Sequence, residues 1–257
     1  MTLNFFEYEN SQFGTQKIAY QKTQGQNPGI VFLPGFKSDL TGTKAQAVYE
    51  WAQRNNHDCL LFDYFGHGAS SGAFKDGTIS GWREEVVTLI RDLTQGPQIL
   101  VGSSFGGYMA SLAALDLGKR IAGLVLIAPA FDMTERLMWN AFSEEDKASI
   151  TQNGFLHRSS EYDSEGYPIT QNLITDGRNH QILNGEIAIH VPITILHGQK
   201  DDAVPWTLSS EFSEKCTSQM IELLFLKSGD HRLSNPHEIA FLMTALDRTN
   251  KAINDAY

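Results

Sequence analysis

The sequence is short of three things, and each shortage excludes something. Only two of its 257 residues are cysteines, Cys59 and Cys216. Two thiols set among apolar neighbours cannot build a disulfide framework, and without a CxxC pair they suggest no zinc or redox centre. Long apolar runs are also missing. The most apolar stretch, 122–131, falls far short of the ~20 residues that cross a bilayer. Met1 to Glu7 contain no basic segment followed by a long apolar one, so no signal peptide is expected. Positive charge is the third shortage. Lys and Arg number 20 against 30 Asp and Glu, a net charge of −10. That balance argues against a phosphate-neutralising face for nucleic acid and against docking on anionic membranes. The expectation is a soluble cytoplasmic protein with no metal, no cofactor, no nucleic-acid partner and no transmembrane segment. Its oligomeric state is left open.

What is present is an ordinary globular balance, with 41% hydrophobic, 19% charged and 11% aromatic residues. A chain of this length can bury roughly 70–75% of its unfolded surface without a covalent staple. Short apolar or β-branched runs alternate with longer segments of helical period. Strands are expected at 4–7, 17–21, 29–33, 59–64, 98–102, 122–128, 193–197 and 221–227, and helices at 43–55, 78–93, 105–117, 207–216 and 236–255. Within 43–55, Ala45, Val48, Tyr49 and Ala52 share one face. The alternation predicts an α/β fold: a mostly parallel, twisted sheet of about eight strands with helices on both faces. The segment 133–189 breaks the rhythm and is too long for a plain connection. It mixes Glu144, Glu145 and Asp146 with Trp139, Phe142, Phe155, Tyr162 and Tyr167. It reads as a helical cap inserted into a single domain spanning 1–257, with two ordinary solvent-side helices as the plainer alternative.

The chemistry starts at Gly102-Ser103-Ser104-Phe105-Gly106. This G-x-S-x-G pattern follows a strand and opens a helix, so a sharp turn lifts the Ser104 hydroxyl clear of the sheet. A serine needs a base and an orienter to become nucleophilic. His197 to Pro205 follows a later strand and offers Asp201. Ser228 to Arg232 follows the last strand and offers His231. The order Ser104, Asp201, His231 is the one expected of a triad on an α/β sheet. Asp202 rivals Asp201, Asp230 reads as a loop-bracing or exposed carboxylate, and His197 as a brace for the acid loop. The oxyanion donors should be the main-chain N–H groups of Phe105 and of Phe36, in the loop Leu33-Pro34-Gly35-Phe36. Gly66-His67-Gly68-Ala69-Ser70-Ser71-Gly72 has some likeness to a dinucleotide fingerprint. Its third glycine comes one place late and no clean helix follows.

These motifs, with Asp63-Tyr64-Phe65-Gly66-His67-Gly68-Ala69-Ser70, resemble the serine α/β-hydrolase superfamily over nearly the whole chain. Gly42-Thr43-Lys44-Ala45, the Gly96 to Ser104 stretch, Leu196 to Trp206 and Gly229 to Arg232 look like its acyl-glucuronide esterase and palmitoyl-protein thioesterase branch. The resemblance implies a cofactor-independent hydrolase of carboxylic esters or thioesters, with Ser104, Asp201 and His231 in the matching positions. The substrate would be a small ester or thioester with an apolar acyl group. The oxyanion loop departs from the commonest superfamily pattern, carrying Pro34-Gly35 in place of His-Gly. The same triad could serve a lactonase, a C–C hydrolase or a peptidase, and the fold could be reused as a binding module.

Overall fold

A computed structural model describes residues 2–160 and 163–255. The chain opens with β1 (Asn4–Asn10), β2 (Gly14–Thr23) and β3 (Gln26–Leu33), then α1 (Thr43–Arg54) and β4 (His57–Phe62). Next come α2 (Ile79–Leu93), β5 (Gln98–Ser103), α3 (Phe105–Leu117) and β6 (Ile121–Ile127). After an insertion, β9 (Ile193–Gly198), α6 (Thr207–Lys215), β10 (Ile221–Leu226) and α7 (Pro236–Asp255) complete the chain. Eight strands form one sheet in the order β1-β2-β4-β3-β5-β6-β9-β10. The first two pairings, β1 with β2 and β2 with β4, are antiparallel; the rest are parallel.

The central strands are apolar on both faces because helices cover both. Every residue of β5 and β6 is buried. Leu100, Leu124 and Leu126 face one core, shared with α2, α3 and α6 through Val86, Ile90, Tyr108 and Phe212. Ile99, Val101, Val125 and Ile127 face the other, shared with α1 and α7 through Val48, Ala52, Leu242 and Ala245. The period-2 alternation of strands thus survives inside continuous apolar runs, as a doubly covered parallel sheet requires. Cys59 and Cys216 are buried free thiols. No helix among the described residues is long and apolar enough to cross a membrane.

The insertion departs from the expected helical cap. It holds a short π-helical turn (Thr134–Met138), α4 (Glu144–Asn153), the strands β7 (Phe155–Ser160) and β8 (Asp163–Thr170), and α5 (Gln171–Gly177). β7 and β8 pair antiparallel as a separate two-stranded sheet, with Leu156 opposite Ile169 and Arg158 opposite Tyr167. The hairpin escaped the sequence reading because its face is only partly buried. Ile169 is sealed, while Phe155 is 47% exposed, so no continuous apolar run marks the strands. Tyr162 lies outside the described residues.

Candidate active site

β5 ends at the residue before Ser104, and the chain reverses into α3 at once. Ser104 adopts φ 54° and ψ −116°, a left-handed conformation that a side-chain-bearing residue enters at a steric cost. The turn is held from outside. The Ser104 N–H donates to the Ile127 carbonyl at 2.8 Å, and the Ser104 carbonyl accepts from the N–H groups of Gly107 and Ala130 at 2.9 and 3.1 Å. Gly106 allows the crossing, because a Cβ there would stand 2.0 Å from the Leu33 carbonyl oxygen. The first turn of α3 therefore lies directly against the end of β3.

Two loops at the same sheet edge bring the other two side chains. His231 Nε2 lies 3.1 Å from Ser104 Oγ, and His231 Nδ1 lies 2.7 Å from Asp201 Oδ2. The Asp201 side chain is wholly buried, whereas that of His231 keeps 15% of its surface. Asp201 Oδ1 accepts from the N–H groups of Ala203 and Val204 at 3.0 and 2.7 Å. Burial alone would raise the Asp201 carboxyl. The hydrogen bonds from His197, His231 and Val204 outweigh it and hold the group well below the usual carboxylate range. The structure thus brings Ser104, His231 and Asp201 together in a hydrogen-bonded line.

The rival carboxylates stand elsewhere. Asp202 is exposed. Asp230 turns into its own loop and accepts from the N–H groups of Arg232 and Leu233. His197 sits behind the acid, with Nε2 3.2 Å from Asp201 Oδ2. Lys44, on α1, donates from Nζ to the carbonyl of Arg232, one residue past His231. Burial lowers this amine to about 8. The sequence offered no signal for that contact, because α1 and the last loop are 188 residues apart.

The Pro34-Gly35-Phe36 loop packs on the elbow. A Cβ at Gly35 would meet the Ser103 carbonyl at 3.5 Å and the Ser104 Cβ at 3.7 Å. Beyond it, Phe36 is the hub of an aromatic cluster. Its ring centroid lies 5.5 Å from Phe105, 4.7 Å from Phe74, 5.9 Å from Trp82 and 5.5 Å from Tyr167 of β8. His67 joins this cluster through Phe74 and Trp82. Desolvation pushes the buried His67 imidazole down to about 4, so it is neutral near pH 7. The glycine-rich loop that carries it is a run of turns. Asp63 braces it by accepting from the N–H groups of Ala69 and Leu40 at 2.8 and 2.7 Å. Sequence reasoning named Phe36 and Phe105 for their amides but missed Phe74 and Trp82, since aromatics far apart in sequence carry no shared period.

The profile of the alpha/beta hydrolase family matches residues 30–240. Among curated relatives, palmitoyl-protein thioesterase ABHD10, mitochondrial, from Pongo abelii is 37% identical over 231 residues, covering 90% of this chain and 75% of the relative. Among solved structures, alpha/beta hydrolase domain-containing protein 10 from mouse superposes with a TM-score of 0.89 at 33% identity, covering 98% of this chain and 99% of that one. A hydrolase from Agrobacterium vitis S4 gives a TM-score of 0.91, also at 33% identity, covering 97% and 99%. The expected cytoplasmic location is corrected by this comparison, since the ABHD10 relatives are designated mitochondrial. The cytoplasmic reading had rested on what the sequence lacks, and an absence carries no address.

Proposed function

This chain belongs to the alpha/beta hydrolase family, and from that premise we propose that it cleaves carboxylic esters or thioesters through an acyl-enzyme on Ser104. The observation that carries the reading is the line from Ser104 Oγ to His231 Nε2 at 3.1 Å and from His231 Nδ1 to Asp201 Oδ2 at 2.7 Å. In this reading His231 accepts the serine proton as Ser104 attacks the acyl carbonyl. Asp201 fixes the ring's tautomer and stabilises the imidazolium that forms. The Phe36 and Phe105 N–H groups receive the oxyanion, a contribution worth ~2.7–4 kcal/mol per donor in comparable sites. His231 then hands its proton to the departing alcohol or thiol and activates the water that releases the acid.

The substrate's acyl group would be apolar, because the surface beyond the elbow is built from Phe36, Phe74, Phe105 and Tyr167. The thioesterase relatives, whose names specify palmitoyl-protein, support a long acyl chain. We read the whole chain as one hydrolase domain, with 133–189 as a cap that reaches the site through Tyr167.

The test is labelling of Ser104 by a fluorophosphonate, followed by kcat/KM for p-nitrophenyl esters from acetate to palmitate. Ser104→Ala should lose the label and about 10⁶-fold in kcat while keeping its thermal melt. Turnover retained in that variant would refute the nucleophile. A rise in kcat/KM with chain length is the expected profile, and a preference for acetate would remove the long-chain reading.

A further inference from the structure

The carboxylate of Asp201 is shared by two imidazoles, and only one of them reaches the serine. His197 is the last residue but one of β9 and is fully buried. Its Nε2 lies 3.2 Å from Asp201 Oδ2 and 3.0 Å from the Val204 carbonyl oxygen. Both are acceptors, so Nε2 carries the proton. On the other side of the ring, Nδ1 lies 2.7 Å from Ser209 Oγ on α6. In that tautomer Nδ1 accepts a hydrogen bond from the Ser209 hydroxyl. The tautomer is thus fixed by two acceptors on the acid loop, the Val204 carbonyl and the Asp201 carboxylate, and Ser209 on the helix that follows adapts to it. The proton on Nε2 meets the same oxygen, Oδ2, that accepts from His231 Nδ1 at 2.7 Å.

We propose that His197 is a positioning residue that sets how strongly Asp201 holds the protonated form of His231. The inference rests on the triad reading above. An oxygen that accepts two N–H groups divides its negative charge between them. The His197 donor therefore weakens the pull of Asp201 on the imidazolium, and it fixes the direction in which Oδ2 points. Removing it concentrates the charge on His231 and stabilises the protonated, inactive ring. Charged groups on the flanking elements are Lys200 and Asp202 on the acid loop, Glu211, Glu214 and Lys215 on α6, Asp230 and Arg232 on the histidine loop, and Lys44 of α1, which donates to the Arg232 carbonyl and to Ser234 Oγ. The hydrogen bonds of His197 go to Asp201, the Val204 carbonyl and Ser209, and of these Asp201 is the one that bonds His231.

The experiment is the pH profile of kcat/KM for a p-nitrophenyl ester with the full chain, His197→Leu and His197→Gln, a separate portion of each protein being labelled at Ser104 with a fluorophosphonate. Loss of label and turnover in the unsubstituted chain would remove the triad reading itself, whatever His197 does. Where labelling at Ser104 is seen, the acid limb of His197→Leu should move up by roughly half a unit to one unit, a part of the roughly one to two units that a whole hydrogen bond to a charged group commands. His197→Gln keeps an amide N–H within reach and should return the limb most of the way. A limb that stays in place in His197→Leu, or moves down, overturns the proposal and leaves His197 a brace alone. If the leucine variant does not fold, nitrogen-15 NMR of the unsubstituted chain decides. His197 should be protonated at Nε2 and bare at Nδ1 at neutral pH. The opposite tautomer would overturn the proposal, because no proton would then lie between His197 and Asp201.

Discussion

The sheet edge that carries Ser104, Asp201 and His231 and the insertion that faces it are held in place by different means. At the sheet edge main-chain bonds tie the elbow and the two loops to the strand ends. The Ser104 N–H bonds the Ile127 carbonyl, the Gln199 N–H the Leu226 carbonyl, and the Lys200 N–H the Gly229 carbonyl, all within 2.8–2.9 Å. The insertion is held by side chains. The buried Asp132 accepts from the N–H groups of Ile182 and Leu183 and so ties its two ends together. Ser80 bonds Asp176 and His180, Arg83 bonds His180 Nδ1, and Tyr108 Oη donates to the His180 carbonyl at 2.7 Å. Main-chain bonds tolerate almost any side chain, so the reacting groups stay in place as the sequence drifts. Side-chain ties change with single substitutions. In the proposed function the chemistry is built on the rigid half, and selectivity on the half that substitution can alter.

The comparison is tested hardest at the acid. Asp201→Asn should cost about 10⁴-fold in kcat, the effect of leaving a triad histidine in the wrong tautomer. The exposed neighbour Asp202→Asn should stay within about twofold, as a surface change does. If the second variant does more damage than the first, the acid is assigned to the wrong residue. A smaller effect is expected from the insertion. Tyr167→Ala removes one ring from Phe36 and Phe74. An aromatic pair is worth about 0.5–1.5 kcal/mol, so kcat/KM for long-chain esters should fall roughly 2–10-fold. Hydrolysis of the acetate should be unchanged. Equal losses on both substrates would mean that the insertion shapes the reaction and not only the choice of acyl group.

The smallest effect belongs to stability, on the rigid half. Glu85 of α2 is fully buried and accepts from the Phe65 N–H at 3.1 Å and from the Tyr8 hydroxyl at 3.3 Å. Desolvation pushes its carboxyl up to about 8, against an ordinary value of 4.5. The folded chain therefore keeps a proton that the unfolded chain has released. Its stabilising share is complete below the ordinary value and is lost as the pH rises towards about 8. The melting temperature of the unsubstituted chain should decline across that window by a few degrees more than that of Glu85→Gln. Parallel curves would show that Glu85 is ionised throughout, and that the loop after β4 is held by a carboxylate.

Much of this could be read before any coordinates. Helices were expected at 105–117 and 236–255, and α3 and α7 occupy those residues. All eight expected strands lie in the main sheet, with ends moved by a few residues. They were legible because continuous apolar runs bounded by glycine and proline have few other solutions. That Ser104, Asp201 and His231 would meet was legible for a related reason: Ser104 follows β5 directly, Asp201 and His231 lie in the loops after β9 and β10, and strand ends of a parallel sheet share one edge. Choosing Asp201 over Asp202 on geometric grounds needed the structure, since adjacent residues on a loop point in different directions.

The sequence by itself determined the α/β layering, the strand ends that carry the three side chains, and the class of chemistry they suit. Those follow from local pattern and chain order, which neighbouring residues settle between them. Only the tertiary structure decided that the insertion contains a hairpin, that Tyr167 rests on Phe36, that Lys44 holds the histidine loop, and that a second imidazole shares the acid. Each of these is a contact between residues far apart in the chain or a matter of which way a ring faces, and packing alone fixes both.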